Sequence, residues 1–398
     1  MEWRRGVPMN ILFVASDNNR ISGAFLSMAK LAMILQRDYG VNVSAVLPND
    51  GDGGSLLEEY GVEYEIVPSR NWVVDIEEGK TGEREKEKEK ELSGNESAIC
   101  RICEIIREKE IEILHINTTY SYVGAAAALG IKIPFIWHIR EFLEEGQNRK
   151  IWDREKGYAL ISKASAIIAI SDSVYEKYSK IFPADRLRVI YNGIDEKDFL
   201  RPERELFQGE KARFCIIGGI VPYKGHEELI RACGRLKRKG ISDFELKIVG
   251  KGKEQFQRYL MQLVEKENLH GNVIFAGASN CIPEVLENTD ILFVCSQNEA
   301  FGRTTVEGMM AGCLIIGADT AGTKELLEGG KNGYLYERGN VKKLSDTVEY
   351  VLRNKEEGNG RRKRGQKTAA MKYTAVKNAQ AVYELYQDVR RTGGFESG

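Results

Sequence analysis

Residues 291–312 read ILFVCSQNEAFGRTTVEGMMAG, and this stretch decides the fold. It opens on an unbroken apolar run, residues 291–295, of the kind that forms strands buried on both faces. Beyond a polar middle, apolar residues recur at the spacing of one helix face, at Val306, Met309, Met310 and Cys313. The stretch therefore predicts a strand, a loop with a close turn at Gly302, and the start of a helix. Free backbone N–H groups and the positive end of the helix dipole meet at such a point, and both suit a phosphate.

Two carboxylates in this stretch are candidate ligand-binding groups. Glu299 lies in the predicted loop and caps nothing obvious, which favours a functional role. Glu307 has two candidate roles. The first is structural, because Thr304 and Glu307 have the spacing of a capping box, in which Glu307 reaches back to the N–H of the N-cap Thr304. The alternative is that Glu307 faces the same ligand as Glu299. The two roles do not exclude each other.

Strands and amphipathic helices alternate along the rest of the chain, as they do in parallel sheets with crossover helices. The predicted strands are residues 10–15, 41–47, 62–67, 111–116, 133–137, 166–170 and 187–191, and then residues 214–217, 244–249, 272–276 and 314–318. Between the two sets, the turn dipeptide Asn192-Gly193 precedes a polar stretch at residues 196–210. The sequence therefore predicts two α/β domains with a boundary at residue 193.

Length and composition exclude several classes of protein. A chain of 398 residues is long for one core, and its net charge of -1 argues against wholesale nucleic-acid binding. The seven cysteines are scattered without metal-ligand spacing, which indicates a reducing compartment and no zinc site. No apolar run reaches the roughly 20 residues that span a bilayer. These observations predict a cytoplasmic protein.

Polar residues at strand ends in the first half are candidates for a second set of ligand contacts. Asn117 follows the predicted strand at residues 111–116, and His138 and Arg140 follow the next one. Open α/β sheets bind ligands at these carboxyl ends. His138 alone is equally consistent with an ordinary buried histidine. Gly23, at a predicted helix start, is a candidate contact for an anion or a hydroxyl.

For three further segments, the sequence favours a structural role over a binding role. The charge run at residues 77–91 alternates in sign and has almost no apolar face, which favours a solvated segment over a binding site. The basic runs at residues 235–239 and 361–364 favour solvated helix ends, with peripheral contact to an anionic membrane as the alternative. Residues 250–252, Gly-Lys-Gly, lack the third glycine and the downstream acid of a dinucleotide site.

The stretch at residues 291–312 resembles the signature of the retaining glycosyltransferases of family 4, which have the GT-B fold of two Rossmann-like doubly wound domains facing across a cleft. That signature has a Ser near a strand end, a Glu, a small residue, Phe-Gly, and a second Glu eight positions after the first. The matching residues here are Ser296, Glu299, Ala300, Phe301, Gly302 and Glu307. The resemblance covers the whole chain and is specific from residue 218 to residue 325.

The resemblance implies a division of labour between domains. Residues 1–193 are expected to bind the acceptor, residues 194–372 the nucleotide sugar, and residues 373–398 to form a helix that packs back on the first domain. On the acceptor side, the implied residues are Asn117, His138 and Arg140. His138, Glu299 and Lys224 are the implied catalytic residues.

The implied donor contacts lie mainly in the second domain. By resemblance, Glu307 takes the ribose hydroxyls, Glu299 takes a hydroxyl of the donor sugar, and Lys224 neutralises the diphosphate leaving group. Backbone N–H groups are expected to touch the sugar or the phosphates at Ala300, Phe301, Gly302, Thr304 and Thr305, and the remaining implied donor contacts are Gly23 and Gly219. The family usually has an arginine where this chain has Gly219. Lys224, the helix dipole and Arg303 are then expected to carry more of the phosphate charge.

The implied reaction retains anomeric configuration by front-face attack, in which the leaving phosphate accepts the acceptor's proton. It needs no protein nucleophile, no metal and no cofactor other than the nucleotide-sugar donor, and its acceptor is a carbohydrate or a lipid-linked sugar in glycan, polysaccharide or glycolipid synthesis. Two other readings stay open. One is a nucleotide-sugar epimerase on the same double-Rossmann plan, and the other is a non-catalytic sugar- or nucleotide-binding partner.

Overall fold

The computed structural model of the chain describes residues 8–76, 82–279 and 281–392. Contacts divide the chain into two compact units. Unit 1 runs through Gly193 and resumes at Ala375, and unit 2 is Ile194–Thr374. Each unit contains a parallel sheet whose strands are connected by helices.

Unit 1 holds nine strands and nine helices among its described residues. Its strands are β1 Asn10–Val14, β2 Asn42–Leu47, β3 Glu63–Ile66, β4 Val73–Asp75, β5 Ile113–Asn117, β6 Phe135–Ile139, β7 Arg149–Ile151, β8 Ala166–Ala169 and β9 Leu187–Val189. Its helices are α1 Gly23–Tyr39, α2 Gly53–Glu59, α3 Gly82–Ser93, α4 Glu96–Glu108, α5 Val123–Ile131, α6 Leu143–Gln147, α7 Arg154–Ile161 and α8 Asp172–Tyr178, with α17 Ala375–Thr392 at the end of the chain.

The main sheet of unit 1 has the order β3-β2-β1-β5-β6-β8-β9, and all its neighbouring strands are parallel. Its apolar core includes side chains of α1 and, from α17, Ala379, Val382, Tyr386 and Val389. The remaining two strands, β4 and β7, form a separate antiparallel pair. The last helix of the chain therefore completes the core of the first unit.

Unit 2 contains the other helices and strands. They are α9 Glu196–Phe199, β10 Ala212–Ile217, α10 His226–Arg238, β11 Phe244–Val249, α11 Glu254–Lys266, β12 Val273–Gly277, α12 Ile282–Glu287, β13 Ile291–Val294, α13 Arg303–Met310, β14 Leu314–Ala318, α14 Ala321–Leu326, β15 Tyr334–Tyr336, α15 Val341–Arg353 and α16 Lys355–Lys372. The sheet is parallel in the order β12-β11-β10-β13-β14-β15. Numbered within the unit, this is 3-2-1-4-5-6, the order of nucleotide-binding doubly wound sheets.

Several sequence expectations need correction. β6 continues through Ile139, so His138 lies within the strand and not after it. The prediction of a solvated charge run is not among them, because its described part forms α3 with Glu87, Glu89, Lys90 and Glu91 exposed, while residues 77–81 lie outside the described residues. The basic run at residues 361–364 is not a solvated helix end, because Arg362 is 1% exposed.

The two basic runs are partly neutralised within the protein. In the first, Arg238 pairs with Glu267 and Lys239 with Asp346 and Glu349. In the second, Arg361 pairs with Glu357 and Lys363 lies near two glutamates, Glu203 and Glu205. Membrane contact through these runs stays a prediction. Within the described residues, the structure has no helix with both the length and the apolar character of a membrane span.

Candidate functional site

The loops that follow β10 and β13 meet in unit 2. These two strands are neighbours at the point where the strand order reverses, which is where doubly wound sheets leave a crevice for ligands. The backbone N–H of Gln297 donates to the carbonyl of Tyr223 at 2.8 Å, which joins the two loops directly. Gly225 has φ +76°, and a Cβ there would lie 2.3 Å from the carbonyl oxygen of Cys295. The close approach of the loops therefore depends on a glycine at position 225.

Lys224 and Glu299 form an ion pair across this junction. Lys224 ends a short 3₁₀ turn, Pro222–Lys224, and Glu299 lies in the loop after β13. Burial by itself raises the pKa of Glu299, but Lys224 and a hydrogen bond from Ser296 outweigh it and lower the pKa below its ordinary value. Burial likewise opposes the charge on Lys224, and Glu299 raises the pKa of the lysine overall. Both groups are therefore held in their charged forms.

The helix after the loop begins two residues earlier than the capping-box reading requires. Gly302 is the N-cap of α13, with φ 95°, and no side chain caps this helix. Thr304 is the second residue of the helix, so the predicted capping box is absent. The prediction that Glu307 caps the helix is therefore wrong. Gly302 adopts a left-handed conformation, which begins the helix without a side-chain hydrogen bond.

Glu307 instead pairs with Arg303, one turn away, at 3.1 Å. Glu307 is 8% exposed, and burial raises the pKa of its carboxyl, although Arg303 opposes the rise. Arg303 was expected to help carry phosphate charge, and here its guanidinium is engaged with Glu307. The two cations and two carboxylates of this site thus sum to zero charge.

The remaining predicted donor residues of unit 2 lie on the same loops. Ala300 is half-buried, and Phe301 is buried with its ring edge-on to Tyr373. The N–H of Gly322 donates to the carbonyl of Glu299 at 3.0 Å, which helps to fix this loop. Thr305 is fully buried, and its N–H donates to the carbonyl of Gly302 at 3.0 Å, so the half-buried Thr304 is the better placed of the two for a ligand.

Gly219 has room for a side chain. A Cβ built there meets no atom within 4 Å, and its φ lies outside the left-handed region, unlike that of the preceding Gly218 at +143°. The family's usual arginine is therefore compatible with this backbone. Its absence is a feature of this sequence and not a demand of the fold.

His226 is a site residue that sequence reasoning missed. It is the first residue of α10 and is buried directly after the Lys224 turn. Burial and the charge of Lys224 lower the pKa of His226 to about 4, so the ring is neutral at physiological pH. Its place two residues after the predicted Lys224 was the available signal.

Unit 1 brings together the three residues that were expected on the acceptor side. Arg140 donates to the side-chain oxygens of Asn117 and Asn192 and, at 3.2 Å, to Nδ1 of His138. All four side chains are buried. Asn192 belongs to the turn that marked the domain boundary, and its contact with Arg140 was not foreseen from the sequence.

The loop after β5 is strained where it passes this cluster. Thr118 has φ 82°, which is rare for a β-branched residue and costs on the order of 1–3 kcal/mol. Three contacts hold it: its N–H donates to the carbonyl of His138, the indole N–H of Trp137 donates to its carbonyl, and the buried Glu141 accepts from the next residue, Thr119. Strain that is held in this way is typical of ligand-binding loops.

Gly23 belongs to unit 1, whereas the other predicted donor residues belong to unit 2. It is the first residue of α1, an exposed position capped by Ser22. Asn117 donates to the carbonyl of the adjacent Ala24 at 3.3 Å, so Gly23 lies beside the Asn117 cluster.

Metal ligands do not gather at either cluster. Within the described ranges, no three His, Cys, Asp or Glu side chains are grouped as a metal site requires. The chain has an Asp-x-Asp sequence, residues 50–52, which lies in unit 1 after β2. There Asp52 accepts a hydrogen bond from the backbone N–H of Arg20 at 2.8 Å.

Comparison with known proteins relates this architecture to a family. The model of "Glycosyltransferase Family 4" matches residues 57–198, and that of "Glycosyl transferases group 1" matches residues 198–368. N-acetyl-alpha-D-glucosaminyl L-malate synthase of Bacillus anthracis is 25% identical over 238 residues. That match covers 58% of this chain and 61% of the synthase, so less than two thirds of its length.

Two further comparisons are informative. A Campylobacter jejuni N-acetylgalactosaminyltransferase, whose name gives a diphospho-undecaprenol acceptor, is 24% identical over 48% of this chain and 52% of its own length. HepE from Anabaena, solved with UDP, superposes with a TM-score of 0.79 at 20% identity over 96% of this chain and 100% of HepE. HepE has also been solved with UDP-glucose.

The two parallel-sheet units and these structural neighbours show the GT-B fold. Two family models, end to end, account for residues 57–368. The chain belongs to the family 4 glycosyltransferases.

Proposed function

We propose that unit 2 binds a nucleoside-diphosphate sugar where its strand order reverses, and that the chain transfers this sugar with retention to a hydroxyl of a carbohydrate or lipid-linked acceptor. The observation that carries the proposal is the Lys224–Glu299 ion pair at that point. It sets a cation for the diphosphate beside a carboxylate for a sugar hydroxyl. The UDP and UDP-glucose complexes of HepE make UDP-sugars the first donors to test.

The donor is expected to exchange partners with the two ion pairs. In the absence of donor, Lys224 is neutralised by Glu299, and Arg303 by Glu307. A bound diphosphate draws Lys224 towards its oxygens and leaves Glu299 to accept a hydrogen bond from the donor sugar. Glu307 similarly becomes available to the ribose hydroxyls. The pairs thus keep the buried charges compensated until the donor supplies better partners.

The proposed chemistry assigns the proton to the leaving group. The acceptor oxygen forms a bond to the anomeric carbon on the face from which the diphosphate departs, and the bond between that carbon and the diphosphate breaks. The acceptor's proton passes to the departing diphosphate. Lys224 stabilises the charge that develops there, an effect that acts mainly in the transition state. This assignment uses no metal, and excess chelator is expected to leave turnover nearly unchanged, whereas a loss restored by magnesium would overturn it.

The experiment begins with thermal shift across UDP, ADP, GDP and their glucose conjugates, because a ligand that binds only the folded chain stabilises it by mass action. Steady-state kinetics with the selected donor then compare two substitutions at one position. Lys224→Ala is expected to lower kcat by on the order of 10²-fold. Lys224→Arg keeps the positive charge and is expected to retain more activity. Wild-type kcat in Lys224→Ala would show that the phosphates bind elsewhere.

The glycine at position 219 favours a second candidate, a non-catalytic nucleotide-binding partner, because one expected phosphate contact is missing. Donor turnover separates the candidates. The proposed transferase consumes donor only with an acceptor, apart from slow hydrolysis. An epimerase changes the sugar of the donor without any acceptor, and a non-catalytic protein shows a thermal shift with neither reaction. The anomeric coupling of the product by NMR tests retention.

A further inference from the structure

A chain of three buried side chains leads from the last helix of unit 1 to His138. The Tyr386 hydroxyl lies 2.6 Å from Nδ1 of His115, and Nε2 of His115 lies 3.0 Å from Nδ1 of His138. Each of the three residues is fully buried. Tyr386 comes from α17, His115 from β5 and His138 from β6, so packing of three elements fixes the chain.

Arg140 determines where the protons lie. A guanidinium can only donate, so Nδ1 of His138, which lies 3.2 Å from Nη2 of Arg140, must be the unprotonated nitrogen that accepts. His115 faces the same lone pair and must therefore present an Nε2–H. Its Nδ1 is then the acceptor, and the Tyr386 hydroxyl donates to it. Any other arrangement of neutral rings sets two lone pairs, or two N–H groups, against each other.

The far nitrogen of His138 then carries the proton. Burial lowers the pKa of His138, and the charge of Arg140 lowers it further, so the ring is neutral. Nε2 of His138 is buried and has no hydrogen-bond partner in the described part of the chain. A buried donor that is left unpaired costs about 1–3 kcal/mol. Such a donor is available to an oxygen atom of a ligand.

We propose that Tyr386 and His115 are positioning residues that hold His138 as a neutral ring with its proton on Nε2, so that His138 donates a hydrogen bond to a substrate oxygen and does not act as a base. The inference rests on the proposed function for the identity of the substrate. It agrees with a reaction in which the departing diphosphate, and not a side chain, receives the acceptor's proton.

Side-chain NMR of ¹⁵N-histidine-labelled protein tests the tautomer directly, without activity. The chain has four histidines, so single substitutions assign the signals. We expect His115 and His138 to be neutral and protonated on Nε2 at neutral pH. A His138 signal protonated on Nδ1, or on both nitrogens, would overturn the proposal. Addition of UDP and then UDP-glucose separates phosphate from sugar contacts, through the shift of the His138 Nε2–H.

Tyr386→Phe removes only the hydroxyl, and Tyr383→Phe on the same helix is its matched control. In Tyr386→Phe, Nδ1 of His115 loses its donor while Arg140 and His138 still require the Nε2–H form, so we expect a poorly oriented His115 ring with shifted ¹⁵N signals, and a kcat that falls about ten- to a hundredfold with the UDP thermal shift retained. Unchanged His115 and His138 signals with unchanged kcat would refute the positioning role. Tyr383→Phe should change neither.

A second pair of variants keeps the test decisive if Tyr386→Phe folds poorly. His115→Gln retains an amide donor towards His138, and His115→Leu has none. We expect His115→Gln to preserve more of kcat than His115→Leu does, and equal losses would contradict the proposal. The proposed function is tested separately. No thermal shift with any nucleotide would refute donor binding, whereas the histidine tautomers of the free protein would still test the hydrogen-bond chain.

Discussion

The buried carboxyl of Glu307 is expected to strengthen donor binding but to lower the stability of the folded chain at neutral pH. Because burial raises its pKa in the folded chain, ionisation favours the unfolded state as the pH rises above the ordinary value of 4.5. Glu307→Gln removes that loss of stability. We therefore expect the melting temperature of Glu307→Gln, relative to wild type, to increase between pH 4 and pH 7. Donor affinity should weaken by roughly 1–3 kcal/mol, as for a lost hydrogen bond to a charged group.

Glu299→Gln is the matched comparison, because its effect on stability is expected to change with pH in the opposite direction. Lys224 lowers the pKa of Glu299, so the ion pair contributes stability that is present above pH 4.5 and is lost as the pH falls further. Glu299→Gln should therefore destabilise the protein at pH 7 and progressively less in acid. Thermal melts of both variants across pH measure the two trends. Trends of the same sign would contradict the assigned environments.

Two adjacent glycines give a test of the missing arginine. Gly219 has an unstrained φ and open space around it, so Gly219→Arg should melt like wild type. A second cation beside the diphosphate is expected to lower the donor Kd by roughly tenfold, within the range for charge-assisted hydrogen bonds. Gly218→Arg adds the same side chain at φ +143° and should cost about 1–3 kcal/mol. Binding isotherms and urea unfolding report the two quantities, and equal stability of the variants would refute the backbone argument.

At the scale of elements, the turn that carries Lys224 depends on its contact with the end of β13. A Cβ at Gly225 would lie 2.3 Å from the Cys295 carbonyl oxygen, so Gly225→Ala must displace the turn. We expect a loss of at least about 2 kcal/mol of stability, and a lower kcat because Lys224 moves. Gly240→Ala has a similar φ of +81° but open space, so it isolates the cost of the backbone conformation. Equal effects of the two substitutions on kcat would show that the close approach is unimportant.

Long, strongly patterned elements were predictable from the sequence, and short paired ones were not. The strands at residues 244–249 and 314–318 have the predicted bounds, because apolar residues predominate in each and a glycine or an aspartate follows it. β4 and β7 have three residues each and pair across 74 residues of chain between Asp75 and Arg149, which leaves no local signal. The prediction of a capping box was also wrong, because the conformation of Gly302, and not the spacing of the side chains, determines where α13 begins.

The candidate site was only partly predictable for the same physical reasons. Motif residues such as Lys224 and Glu299 could be named from the sequence, but their ion pair joins loops that are 75 residues apart. His115 lies inside a strand and reads as a core residue, so its link to Tyr386, 271 residues away, has no sequence signature. Contacts between distant segments require the fold.

At the scale of the whole molecule, α17 belongs to the core of a unit that is otherwise built from the first half of the chain. Val382 is fully buried there, and Gln380, two residues earlier, is exposed. Val382→Asp should destabilise the protein by about 3 kcal/mol or more, because it buries an unpaired charge. Gln380→Asp introduces the same group at the surface and should change stability by less than about 0.5 kcal/mol. Urea unfolding followed by circular dichroism measures both, and similar midpoints would contradict the packing of α17.

The return of the chain to unit 1 at Ala375 has a consequence for biosynthesis. A ribosome completes the β-sheet of unit 1 by residue 189, but the helix that closes its core is translated only after all of unit 2. At about 5–20 residues per second, the nascent unit 1 waits roughly ten seconds or more with the apolar surface of α1 uncovered. During that interval His115 also lacks its hydrogen-bond partner, Tyr386. The growing chain therefore has an interval in which it is vulnerable to aggregation and to proteases, and unit 1 reaches its native core only after α17 has been translated.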